Sequence, residues 1–102
     1  MASNERELME REIRSVSQQA AAAGALIDEA KETGLSGSPV VVRAKTLREE
    51  LLQVKTHLER ELQSRGLNCS ACGKAVHYIA GIGDSPGHWA HREPGSLHDP
   101  VL

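Results

Sequence analysis

The sequence predicts a mainly α fold: an antiparallel two-helix coiled-coil hairpin followed by a small, turn-rich module. Three observations carry this expectation. Two apolar repeats with alternating three- and four-residue spacing fill residues 1–66. Only the short stretch Gly34-Leu35-Ser36-Gly37-Ser38 separates them. The composition then changes near Gly66. Residues 1–66 hold 10 of the 12 basic and 11 of the 14 acidic residues, while residues 67–102 hold both Cys, both aromatics and four of the five His. The second half is too poor in apolar side chains to hold together by a core alone.

Helix 1 is expected over about 4–33. Asn4 with Glu7 three residues on makes a capping box. Met9, Ile13, Val16, Ala20, Ala23, Ile27 and Ala30 form an unbroken heptad seam, and Gly34 suits the left-handed residue just past the helix end. Helix 2 is expected over about 39–65, with Ser38 as N-cap and Pro39 at the first helical position. Val40, Ala44, Leu47, Leu51, Val54 and Leu58 repeat the seam, after which Glu61 breaks the register and Leu62 falls one position late. A five-residue connection requires the helices to fold back antiparallel. Folding about Ser36 sets Ala20 and Ala23 near Leu47, Leu51 and Leu52, small residues opposite large ones.

One seam is a thin core, because each large apolar side chain contributes ~1.5–3 kcal/mol against ~1–2 kcal/mol of entropy per ordered residue. Leu8, Val42 and Leu52 lie off the seam, and Val41 points nearly the same way as Leu52. They read either as scattered surface hydrophobes or as a second contact surface, for a homodimer or another protein partner.

The chemistry is concentrated in Cys69-Ser70-Ala71-Cys72-Gly73-Lys74, which has the form of a zinc knuckle. Fifteen residues later comes His88-Trp89-Ala90-His91, giving C-x2-C-x15-H-x2-H. The spacing predicts a closed, structural Zn2+ site made by Cys69, Cys72, His88 and His91. Between the pairs, Ala75–Ile79 reads as a strand and Gly81–Gly87 as a returning loop. His77 and His98 are rival ligands. His77 is expected to face solvent, and His98 to lie in a flexible tail spanning 93–102, beyond a zinc module at 67–92. Trp89 is expected to pack against the module and to offer a contact for a partner. A Cys-x-x-Cys pair also fits a redox dithiol, but the βαβ context such a site needs is missing.

The formal net charge is −2, which argues against a chain whose main partner is bare phosphate backbone. One Trp, one Tyr and no Phe exclude a stacking platform for single strands. The basic residues Arg43, Lys45, Arg48, Lys55 and Arg60 leave a nucleic-acid-binding accessory role as the alternative, although acids nearly balance them on the same helix. No nucleophile elbow, phosphate loop or acidic ligand pair is present, and a four-ligand zinc has no open position for water, so no enzyme is expected. The charged N-terminus is unlike a signal peptide, and the longest uncharged stretch near it, Ser15–Ile27, is too short to span a bilayer. A cytoplasmic protein is expected.

The order of parts resembles the DksA/TraR family, small bacterial regulators that bind RNA polymerase through its secondary channel. The resemblance rests on Arg65-Gly66-Leu67-Asn68-Cys69-Ser70-Ala71-Cys72-Gly73, on Val76 and on Pro86 before the second ligand pair. It implies a coiled-coil interaction protein of bacterial or phage origin, a regulator with RNA polymerase as partner. The family's second Cys pair is replaced here by His88 and His91, and the acidic pair at its coiled-coil tip has no counterpart. Gly87-His88-Trp89-Ala90-His91 is also similar to the end of zinc fingers in other bacterial and phage proteins, including competence-type nucleases.

Overall fold

The computed structural model describes residues 4–93 and 98–102. Helix α1 spans Glu5–Glu32 and helix α2 spans Pro39–Gln63. The strands are β1 (Leu67–Asn68), β2 (Ala75–Ile79) and β3 (His88–His91), antiparallel in the order β1-β2-β3. The expected mainly α hairpin with a small appended module is the observed architecture. Among the described residues no helix is long and apolar enough to cross a membrane.

Both helix starts follow the local chemistry. The Asn4 side chain accepts the Arg6 N–H at 2.9 Å, and Ser38 Oγ accepts the Val41 N–H at 3.4 Å, with Pro39 next in line. At the far end of α1, Gly34 takes φ +75°, and the Leu35 N–H donates to the Ala30 carbonyl at 2.7 Å. The left-handed glycine closes the helix and turns the chain toward α2.

Helix α1 buries the seam its sequence predicts: Ile13, Val16, Ala20, Ala23, Ile27 and Ala30 are buried and Met9 is half-buried. Helix α2 does not. Val40, Leu47 and Val54 are exposed, while Val41 and Leu62 are fully buried. The inward positions are 41, 44, 48, 51, 55, 58 and 62, again alternating by three and four. The expected register is therefore corrected by a rotation of α2. The reason is that α2 has two neighbours. Turning it to bury Val41 and Leu62 against α1 also aims Lys55 and Glu59 at the loop between β2 and β3.

That loop is pinned by a buried ion pair. Lys55 Nζ donates to Glu59 Oε1 at 2.6 Å and to the Gly81 carbonyl at 3.0 Å, and the Gly81 N–H donates to Glu59 Oε2 at 3.0 Å. A Cβ at Gly81 would fall on the Ser85 and Pro86 backbone, and one at Gly87 on the Ile79 carbonyl oxygen and the Glu59 carboxylate. Arg48 adds an outer contact to Asp84 at 3.7 Å.

The apolar packing is split into two clusters. Near the hairpin turn Ile27, Ala30, Val41 and Ala44 meet. At the open end Ile13, Leu62 and Tyr78 are buried together, with Met9, Leu58 and Trp89 packed against them. Tyr78 and Trp89 make an edge-to-face pair with ring centroids 5.4 Å apart. The module thus brings the two aromatics to the end of the hairpin and thickens its thin seam. Burial, and after it the Glu59 carboxylate, push the Tyr78 hydroxyl far above its usual pKa.

Candidate metal centre

Four side chains converge at the edge of the sheet: Cys69, Cys72, His91 and His98, whose ligand atoms all lie within 4.8 Å of one another. Cys69 and Cys72 come from the turn between β1 and β2. The Gly73 N–H donates to the Cys69 carbonyl at 2.7 Å and the Cys69 N–H to the Lys74 carbonyl at 2.8 Å. Gly73 takes φ +72°, a left-handed conformation that a side chain would strain, and this turn carries the chain around the two sulfurs. Cys69 is buried and Cys72 exposed, and neither is in a disulfide.

His91 ends β3, where it lies opposite Val76, next to the knuckle. Its Nε2 is 3.5 Å from Cys72 Sγ. His98 reaches the site from the C-terminal segment, with Nε2 3.4 Å from Cys69 Sγ. The two imidazoles meet edge to face, ring centroids 5.0 Å apart.

His88, expected as the third ligand, is outside this cluster. It is exposed and pairs with Ile79 at the other end of β3. The cause is strand periodicity. Residues three apart on a strand point to opposite faces and lie about 10 Å apart along it, so His88 and His91 cannot share one ion. His98 fills the fourth place, and the ligand order becomes Cys-x2-Cys-x18-His-x6-His. His77, the other rival, is half-buried on β2 and also outside the cluster.

The tail expected to be flexible over 93–102 is correspondingly corrected for its described end. The Val101 carbonyl accepts the Ser70 N–H at 2.6 Å and Ser70 Oγ at 3.0 Å. The Val101 N–H points at Cys69 Sγ, 3.4 Å away. That contact, then the His98 ring and the backbone N–H groups of Cys72 and Ala71, lower the Cys69 thiol to about 5, against the opposing effect of burial. A thiol so lowered is a thiolate at neutral pH, the form that binds metals. The part of the expected tail at 94–97 lies outside the described residues.

The four residues expected to touch a partner are placed differently from one another. Leu8 and Val42 are exposed, and Leu52 is half-buried. Trp89 is half-buried, and its indole N–H donates to Glu10 Oε1 at 2.6 Å. It is held between the sheet and α1 as part of the fold. Val41, grouped with Leu52 by direction, is core.

The arrangement can hold one metal ion with two sulfur and two nitrogen donors, joining the knuckle, β3 and the C-terminal segment. No protein-family model, curated protein or solved structure matches the chain.

Proposed function

We propose that this is a small zinc-stabilised interaction protein, in which the metal fixes the open end of the hairpin and the hairpin presents its surface to a protein partner. The observation that carries this reading is the four-residue cluster of Cys69, Cys72, His91 and His98. Zinc bonds of about 2.3 Å to sulfur and 2.0–2.1 Å to nitrogen give sulfur–nitrogen edges near 3.5 Å in a tetrahedron. Two of the four sulfur–nitrogen edges, Cys69–His98 and Cys72–His91, are 3.4 and 3.5 Å. Two thiolates and two imidazoles in a tetrahedron favour zinc among the common ions. Four protein ligands leave no position for substrate or water, so the ion's role is structural. When bound it would tie three separate segments together at the foot of α2.

The partner class follows from charge and from order of parts. Of the five basic residues that suggested nucleic acid, Lys55 is buried against Glu59 and Arg48 faces Asp84. The remaining positive charge on α2 is nearly matched by its acids, which favours protein over phosphate. The hairpin followed directly by a metal knuckle resembles the DksA/TraR regulators, so RNA polymerase is the partner we propose first, in a bacterial or phage setting and in the cytoplasm.

Metal analysis of the purified protein should give one zinc per chain. His98→Ala should lose most of it, and His88→Ala should keep it. Loss with His88→Ala and retention with His98→Ala would overturn the ligand set. Binding of the zinc-loaded protein to immobilised bacterial core RNA polymerase, in salt that suppresses phosphate contacts, tests the partner. No binding there, with salt-sensitive binding to duplex DNA, would transfer the proposal to nucleic acid.

A further inference from the structure

The heptad repeat on α2 has a component that the fold leaves unused. Val40, Leu47 and Val54 are spaced by seven, and their exposures are 63%, 50% and 47%. Beside them Leu26 of α1 is 42% exposed. Val40, Leu47 and Leu26, with Ala22, Ala23 and Ala44, border a shallow groove of about 760 Å³ between the helices, and Val54 continues the strip one heptad on. The metal module covers the other side of the hairpin, through Arg48, Lys55 and Glu59. Among the described residues nothing covers this one.

Two charges stand in the same strip. Arg43 and Glu50 line the groove on either side of Leu47. Neither makes an ion pair among the described residues. Neither has an opposite charge three or four residues away on its own helix, since those places hold Pro39, Val40, Thr46 and Leu47 for Arg43, and Thr46, Leu47, Gln53 and Val54 for Glu50.

We infer that this face pairs with a second copy of the chain, α2 against α2, antiparallel about a two-fold axis at Leu47. A two-fold contact must be self-complementary, residue i meeting j and j meeting i. The strip has that property. Val40 and Val54 lie seven residues on either side of Leu47, so each meets the other's equivalent across the axis. Arg43, four before, and Glu50, three after, come together to within one residue of register, twice per dimer. Leu47 meets its own copy at the centre. The small residues Ala22, Ala23 and Ala44 on the groove floor let the second helix approach closely. An unrelated partner has no reason to match a pattern that is its own mirror about one residue. The inference goes beyond the zinc reading and does not depend on it.

Sedimentation velocity of the zinc-loaded protein over a concentration series reads it directly. The wild type should pass from monomer to dimer. Leu47→Glu should stay monomeric with unchanged helicity and zinc content, because Leu47 is half exposed within the monomer. Arg43→Glu alone, and Glu50→Arg alone, put like charges at both contacts and should raise the dissociation constant about tenfold. The double exchange should restore it. A wild type that remains monomeric, a dimer that survives Leu47→Glu, or charge reversals that do not rescue one another would overturn the inference. The zinc ratio measured on the same samples keeps a failure here separate from a failure of the metal site.

Discussion

Breaking the buried pair between Lys55 and Glu59 should cost more than any other change to α2. Both side chains are almost fully buried, and their charged atoms are 2.6 Å apart. Replacing Glu59 by Leu leaves the Lys55 ammonium with one partner, the Gly81 carbonyl at 3.0 Å, and leaves the Gly81 N–H with none. Removing one member of a buried pair costs ~3–5 kcal/mol, because the other charge stays out of water without compensation. A domain of this size has ~5–15 kcal/mol in all, so either single variant should be near unfolding at modest denaturant. The double variant, Lys55→Met with Glu59→Leu, removes both charges. What remains is the loss at the Gly81 amide and carbonyl, ~1–3 kcal/mol for each group sealed from water. Gly81 is half-buried, so the lower end of that range applies.

Urea unfolding of the zinc-loaded protein measures this with two probes. Far-UV circular dichroism follows the helices, and the emission of Trp89, the single tryptophan, follows docking of the module. The double variant should be more stable than either single variant, with a coupling energy of at least ~4 kcal/mol, since the two single losses together exceed the double loss by that much. In the single variants the Trp89 signal should change at lower urea than the helix signal, since the Gly81 loop is what the pair holds. Single-variant losses below ~1 kcal/mol, or a double variant equal to the sum of the singles, would refute the reasoning.

Other consequences are open to simpler measurements. Ser17 is buried in α1 with no hydrogen-bond partner for its hydroxyl among the described residues, so Ser17→Ala should raise stability by ~1 kcal/mol in the same urea assay. Gly87→Ala should destabilise the module strongly and shift Trp89 emission, because its Cβ would meet the Ile79 carbonyl and the Glu59 carboxylate. Tyr78 is the single tyrosine, and its folded pKa lies above the unfolded value. Its contribution to stability is therefore complete below the ordinary tyrosine pKa and is lost as pH rises from there toward the folded value. Ultraviolet titration at alkaline pH should show phenolate absorbance only together with loss of helix, and ionisation in a fully folded protein would contradict the burial.

The register of α2 was legible in the sequence, but only from its ends. Val41 and Leu62 lie three heptads apart and are both core, whereas the heptad-spaced Val40, Leu47 and Val54 point elsewhere. A rule that counts apolar residues follows the majority and selects the face with Val40, Leu47 and Val54. The true inward face contains Arg48, Lys55 and Glu59, which no apolar count would choose. Their burial depends on Gly81, 22 residues beyond Glu59, and that contact has no local signature. Helix α1, by contrast, has small or apolar residues at every seam position and charges elsewhere, so one reading satisfied it. The late arrival of Leu62 marked the difference. It was out of step with the apolar stripe because the stripe was not the seam.

The metal centre divides in the same way. The knuckle at Cys69 and Cys72 is local, and a glycine able to take positive φ after the second Cys marks it in any context. The histidine pair was ambiguous because spacing has meaning only once secondary structure is fixed. Residues 88 and 91 share a face on a helix and oppose one another on a strand. Alternation alone left that choice open over four residues, but the facing segment Ala75–Ile79 was already expected to be a strand. A loop of this length returning from it places His88–His91 alongside as an antiparallel partner. In that geometry only the histidine nearer the knuckle can reach the sulfurs. The fourth donor must then come from outside the hairpin, and among the remaining histidines His98 is the one beyond β3 whose chain leads back to Cys69.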